Sequence, residues 1–409
     1  MSAEGAIVYR RLDDIAQVAG GLALGRSVSE REGVEVPYLR VANVQDGYID
    51  TAEMKTVRVL PSEIERYRVR EGDLLLTEGG DLDKLGRGAV WDSRIPLCLH
   101  QNHLFRVRSN REVMLPEYLS AYVSSSRGKQ YFLGVAKQTT NLATINSSQL
   151  KSMPIPCPDV SAQREVIRVL ESISEMEGAI EAAIAKLRIM FREVASSEIS
   201  KFLGSGESPR VRCIPVREAG SVRMGKQLSP AARSAPGRHP YLRVANVLDG
   251  RIDYSDVKTM GFTDGERRVY SLEPGDILLN EGQSLELVGR SAIYDRASGE
   301  FCFQNTLIRF RVNGDILPQY AQAVFENWLA VGKFAQIAKR TTSIAHLGGE
   351  RFGSLEFPLV AIDEQRRIVK LLEGWKRRVS GEECALEKLR ALKRGIVDDF
   401  MCGKIPAGV

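Results

Sequence analysis

The spacing of apolar residues changes twice along the chain, in the same order each time. Over the first 158 residues the apolar positions form short runs at 38–44, 73–77, 88–91 and 103–107. Turn residues separate them, including Asp46-Gly47 and Glu78-Gly79-Gly80. Runs this short between such turns predict β-strands. A helix is predicted after Pro116, through 118–124 and toward Phe132. A polar stretch, KQTTN at 137–141, and a proline-rich strand exit, MPIPCPD at 153–159, complete the segment. Strands and helices mixed without regular alternation predict an α+β body, not a parallel nucleotide-binding sheet.

From Ser161 to about Phe202 the period is that of a helix, with no proline. Val166, Val169, Ile173, Met176, Ile180, Ala183, Leu187, Met190 and Val194 alternate steps of three and four. This is the a/d seam of a heptad pattern, so the helix is expected to need a long partner helix. At ~1.5 Å per residue, about 40 residues reach roughly 60 Å. Ser161 is the expected N-cap, and Gly204-Ser205-Gly206 the expected flexible end.

The whole plan then returns. A second body spans about 209–360, and a second helix runs from Asp363, an expected N-cap, to about Met401. Its seam is Ile368, Leu371, Trp375, Val379, Leu386, Leu389, Ile396 and Phe400, interrupted at 380–383. The recurrence is a true repeat. PYLRVANVQDG at 37–47 returns as PYLRVANVLDG at 240–250, with only Gln45 and Leu248 differing. Gly72-Asp73, Glu78-Gly79 and Gln101-Asn102 return as Gly275-Asp276, Glu281-Gly282 and Gln304-Asn305, all 203 positions on. After the loss of one residue, Thr139-Thr140, Pro156, Gln163-Arg164 and Leu187-Arg188 return 202 positions on. The expected organisation is two tandem, pseudo-symmetric α+β domains at 1–158 and 204–361. Each is followed by a long helix, at 159–203 and 362–409, and the two helices are expected to pack as an antiparallel coiled coil.

Composition narrows the function. With 43% hydrophobic and 27% charged residues, the 409-residue chain reads as globular. No apolar run approaches the ~20 residues of a membrane span. The N-terminal MSAEGAIVYRRLDD lacks an apolar signal core, so a cytoplasmic location is expected. The six cysteines form no C-x-x-C and do not align between copies, which favours reduced structural thiols over a metal site or disulfides. A net charge of +5 leans only mildly toward a polyanionic partner.

Signatures of an enzyme are missing. There is no G-x-S-x-G, H-E-x-x-H or dinucleotide fingerprint, and the four histidines do not pair between copies. GSVRMGKQ at 220–227 nearly spells a phosphate-binding loop but lacks the final Ser/Thr. Its repeat mate at 20–27, GGLALGRS, carries Arg in place of Lys. Both read as glycine turns. No catalytic residue, metal or cofactor is expected.

The duplication instead preserves polar residues suited to nucleic acid. Gln101, Asn102, Gln304 and Asn305 have carboxamides that can contact adenine in bidentate fashion. Lys137, Gln138, Thr139, Thr140 and Asn141, with Lys339, Arg340, Thr341 and Thr342, mix cations and small polar groups suited to phosphates. The glycine-led loops 79–87 and 282–290 differ between copies and begin at Glu78 and Glu281. They offer Lys84, Arg87, Gln283 and Arg290. Loops that differ are the better candidates for reading different sequences. The competing reading is that Gln-Asn and Thr-Thr cap turns and satisfy backbone groups.

At this point the residues resemble a known family. MPIPCPDVSAQREVIRVL at 153–170 and EFPLVAIDEQRRIVKLL at 356–372 look like the lead-in to the long helix in specificity subunits of type I restriction-modification systems. Gly-Asp-[LI]-Leu-Leu before a glycine loop, the Gln-Asn pair and the Thr-Thr stretch are similar too, and their order occurs twice. Ala345-His346-Leu347 departs from the usual Asn-containing run. The resemblance implies two target recognition domains that each read half of a split site in double-stranded DNA. It implies helices that fix the unread spacer and dock two methyltransferase subunits, which themselves bind S-adenosylmethionine. It also implies a motor-nuclease subunit as a further partner. A DNA-recognition adaptor of another phage-defence or modification system is the alternative.

Overall fold

The computed structural model describes residues 8–25, 28–29, 31–81, 84–138, 143–203, 211–229, 237–340 and 344–401. It divides into two compact units, residues 1–181 with 384–409, and residues 182–383.

In the first unit, an antiparallel four-stranded sheet has the order Ala16–Gly20, Leu104–Ser109, Leu74–Thr77, Gly88–Val90. Leu74, Leu75 and Leu76 are all buried because both faces of this sheet are covered. Strand alternation sends Leu74 and Leu76 into one core, with Phe105, Tyr118 and Phe132, and Leu75 into another, with Trp91 and Leu104. A second sheet pairs Val34–Leu39 with Lys55–Val59 antiparallel and with Leu99–His100 parallel. A third joins Lys137–Gln138, Ala143–Thr144 and Gly79–Gly80. Tyr9–Arg11 pairs with Pro154–Pro156.

The second unit repeats every one of these pairings. Its four-stranded order is Gly220–Met224, Leu307–Val312, Ile277–Asn280, Ser291–Ile293. Its small third sheet joins Lys339–Arg340, Ala345–His346 and Gly282–Gln283. Ile277 and Leu279 again face one core and Leu278 the other. The fold is α+β, duplicated, with long helices Val160–Leu203 and Ile362–Met401.

The two long helices pack antiparallel, and each unit holds part of both. In the first unit, Lys393 Nζ lies 2.8 Å from Glu177 Oε2, and Arg390 pairs with Glu181. Val166, Ile167 and Leu170 share a core there with Val397, Phe400 and Met401. In the second unit, Arg188 pairs with Glu383 and Arg367 with Glu198, while Ile199 packs with Ile368 and Leu372. Numbers rise on one helix as they fall on the other. The pairs exposed on both sides, Arg390–Glu181 and Arg188–Glu383, contribute little; apolar burial supplies most of the attraction.

Several sequence expectations need correction. The predicted strand 38–44 ends at Leu39, and 41–43 form a 3-10 turn. Buried Asn43 causes this: its Oδ1 accepts from Arg40 N at 2.9 Å and its Nδ2 donates to the Asp50 and Glu53 carbonyls. Asn246 does the same in the second unit. The first long helix starts at Val160 and is capped by Asp159, whose Oδ1 accepts from Ala162 N at 2.9 Å, not by Ser161. The second starts at Ile362, before Asp363, and runs unbroken through 380–383. The heptad seam is only half covered. Its a positions Val166, Ile173 and Leu187 are buried, whereas Met176 and Met190 at d are 46% and 38% exposed. One antiparallel partner covers one stripe. The Gly204-Ser205-Gly206 joint lies outside the described residues.

Among the described residues no helix is long and apolar enough to cross a membrane, and no cluster of side chains could hold a metal. The near-phosphate loop at 220–227 is a strand edge. Its Lys226 Nζ is held by the Gly261 carbonyl at 2.8 Å and Glu266 at 2.6 Å. Cys98 and Cys302 are buried free thiols, pushed by burial up to about 12 and about 11.

Candidate nucleic-acid interface

Most residues predicted from sequence to bind DNA gather at one end of the four-stranded sheet, in both units. Strand Leu74–Thr77 ends there and passes through Glu78 into Gly79–Gly80 of the small sheet. Glu78 N donates to the His103 carbonyl at 3.1 Å, which places the turn holding Gln101 and Asn102 beside it. The hairpin carrying Lys84 and Arg87 leaves the same end, with Arg87 O accepting from Thr77 N at 2.9 Å. In the second unit Glu281 N donates to Thr306 O, and Gln304, Asn305, Gln283 and Arg290 occupy the matching places.

Strand pairing sorts the small sheet into two faces, because opposed residues share a face. On one face lie Gly79, Thr144 and Lys137 in the first unit, and Gly282, His346 and Lys339 in the second. The other face carries Gly80 and Ala143, and Gln283, Ala345 and Arg340. Ala143 and Ala345 are buried in their cores, so this face looks inward. The glycine of the outward face is required by its neighbour. A Cβ on Gly79 would lie 2.8 Å from Thr144 Cγ2, and one on Gly282 3.3 Å from the His346 ring. The result is a flat floor, a variable middle residue and a matched lysine. Lys137, Lys339 and Arg340 are exposed and, among the described residues, have no ion-pair partner.

The acidic groups are accounted for locally. Glu78 pairs with His103 Nδ1 at 3.2 Å, and Glu281 with His346 Nδ1 at 3.1 Å. These histidines occupy unmatched positions in the repeat, yet both converge on the matched glutamate. Lys84 is offset by Asp81. Arg87 and Arg290 are half-buried, and their Nε atoms find no partner among the described residues. Their loops are pinned by Gly86 and Gly289, at φ +66° and +84°, where a Cβ would strike Phe132 or Phe334 at 2.3 or 2.2 Å.

Gln101 and Gln304 are half-buried and make no side-chain hydrogen bond within the described residues. Neither do Asn102 and Asn305. It is their backbone that braces the scaffold: Gln101 N donates to Leu39 O, Asn102 N to Leu22 O, and Gln304 and Asn305 repeat this. Thr139, Thr140, Asn141, Thr341 and Thr342 lie outside the described residues, as does the Gln138 side chain. Sequence reasoning missed Thr144 and His346. The available signal was that they match at the repeat offset and differ, while Ala143 and Ala345 beside them agree.

A family model described as type I restriction modification DNA specificity domain matches residues 6–186. The protein named as the MjaX type I restriction enzyme specificity subunit of Methanocaldococcus jannaschii is 27% identical over 414 residues, covering 97% of this chain and 93% of its own. The EcoKI specificity subunit of Escherichia coli K12 is 25% identical over 189 residues, 46% of this chain and 40% of its own. Residues 6–186 thus match the DNA specificity domain of type I restriction-modification systems, and nearly the whole chain is similar to a specificity subunit of such a system. Solved structures share the fold. A chain from a type I R-M system, solved in work on its assembly and conformational transition, gives a TM-score of 0.69 at 16% identity, covering 98% of this chain and 99% of that one. The HsdS subunit of Thermoanaerobacter tengcongensis gives 0.53 at 16% identity, covering 97% of each chain.

Proposed function

We propose that this chain is the sequence-reading subunit of a type I complex, in which residues 1–158 and 204–361 each read one half of a bipartite site in double-stranded DNA. The observation that carries this is the duplicated outward face of the small sheet. Its scaffold and lysine agree between units, while its middle residue is Thr144 in one and His346 in the other. Two readers of different sequences need that combination: shared phosphate contacts for register, divergent groups for base edges. Glu78, Arg87, Gln101 and Asn102 surround the face in the first unit, and Glu281, Arg290, Gln304 and Asn305 in the second. Thr139-Thr140 and Thr341-Thr342 are placed with them on sequence grounds.

The long helices, 159–203 and 362–409, set the unread spacer. Their uncovered apolar residues, Met176, Ile189, Met190 and Leu392, suit docking of two methyltransferase subunits, which carry S-adenosylmethionine and extrude the target adenine. A motor-nuclease subunit joins for cleavage. The chain itself performs no chemistry.

The test is co-expression with the cognate methyltransferase subunit, followed by mapping of modified adenines in host DNA. A split motif with a fixed unread spacer is expected. A continuous motif, or modification by the methyltransferase subunit without this chain, would remove the proposal.

A further inference from the structure

Two glutamines lie away from the candidate interface and are 0% exposed. Gln163 sits in the first turn of the helix Val160–Leu203. Its Oε1 accepts from Leu115 N at 2.8 Å, and its Nε2 donates to Val113 O at 2.8 Å and Pro158 O at 2.9 Å. Gln365 sits in the first turn of the helix Ile362–Met401. Its Oε1 accepts from Leu317 N at 2.9 Å, and its Nε2 donates to Asp315 O and Val360 O, both at 3.0 Å. Leu115 and Leu317 each stand directly before the proline that opens a helix of the body, Pro116–Ser124 or Pro318–Ala330. One planar amide therefore ties the start of the long helix to the start of a body helix and to the strand exit between them.

Apolar packing is non-directional and tolerates small rotations. Three hydrogen bonds from one rigid amide do not, because their geometry fixes direction as well as distance. Alanine here would strand a buried N–H and two carbonyls. Glutamate would keep the size and the acceptor but offer nothing to the two carbonyl oxygens.

We propose that Gln163 and Gln365 are positioning residues that set the spacer length of the bipartite site, by locking each body against the helix that leaves it. They touch no DNA. The inference rests on the two-reader function proposed above, and the experiment separates the two.

The complex of full-length chain and methyltransferase subunit is given a plasmid library with randomised inserts, and modified adenines are mapped. The variants are Gln163→Ala, Gln163→Glu and Gln365→Ala. In each, preference for one spacer over spacers one base pair longer or shorter is expected to fall about tenfold, the worth of roughly one net buried hydrogen bond. Both half-site sequences stay unchanged. Equal loss of modification at all spacer lengths, with preference intact, would overturn the inference and leave the glutamines merely structural. If the alanine variants fail to assemble, the near-isosteric glutamate variant decides on the same readout. A wild-type complex that yields no split motif overturns the proposed function itself, and this inference with it.

Discussion

Removal of the matched lysines tests the interface through its dependence on salt. Lys137 and Lys339 stand on the outward face of the small sheet, exposed and without an ion-pair partner among the described residues. Neither supports the fold, so alanine at either should change stability by less than about 0.5 kcal/mol. Each phosphate left without its cation lowers the slope of log K against log salt by ~0.9. At about 0.15 M salt that is roughly fivefold in affinity per lysine and about thirtyfold for both, or ~2 kcal/mol. Arg340 is one residue along the strand from Lys339, on the inward face with Ala345. Its removal should cost less than that of Lys339, although both are exposed. The assay is fluorescence anisotropy of a labelled duplex carrying the mapped site, titrated with the methyltransferase complex at several salt concentrations. Recognition sequence should not change. A double variant with an unchanged salt slope, or an Arg340→Ala effect larger than that of Lys339→Ala, would refute the placement of DNA on this face.

Two further outcomes follow from the packing. His100 is fully buried, donates to Tyr67 O at 2.8 Å, and is pushed by burial down to about 4. It stays neutral in the folded state and takes up a proton on unfolding below pH ~6.5, so stability should fall as pH drops from about 6.5 to 4, by up to ~3 kcal/mol. Phe303 fills the matched place in the second unit, so His100→Phe should flatten this part of the pH profile in urea unfolding; an unchanged slope would show that other groups cause it. Gly86→Ala adds a Cβ 2.3 Å from the Phe132 ring at φ +66°, and should cost about 2 kcal/mol or more in denaturant midpoint. Gly25→Ala, at φ +87° with open space around it, should cost only ~1 kcal/mol.

The duplicated fold was legible because its signals are local and occur twice. Leu74–Leu76 and Ile277–Leu279 read as buried strands, and the heptad period marked both long helices. The antiparallel pairing followed from the repeat. What sequence could not resolve is which invariant residues are scaffold. Asn43, Gln163 and the Asp73–Arg108 pair, with two hydrogen bonds of 2.7 Å, recur in the second copy because they satisfy buried backbone and charge. Repetition alone does not distinguish that from binding. Met176 and Met190 fit the heptad and yet lie open, since a period shows which residues share a stripe, not how many partners cover it. Thr144 and His346 fall outside the loops 79–87 and 282–290, where the differences between copies point to sequence reading, and His346 figures in the sequence only within the departing run 345–347. The convergence of His103 and His346 on matched glutamates is a property of three-dimensional pairing that no linear offset contains.

Whether each body reads its own half-site is tested most directly by exchange. Residues 1–158 should be replaced by the corresponding segment of a family member with a different target, and the modified adenines of the chimeric complex mapped. One half of the split motif should change to that of the donor, with the other half and the spacer retained. A chimera that alters both halves, or keeps the original motif entire, would contradict two independent readers on one chain.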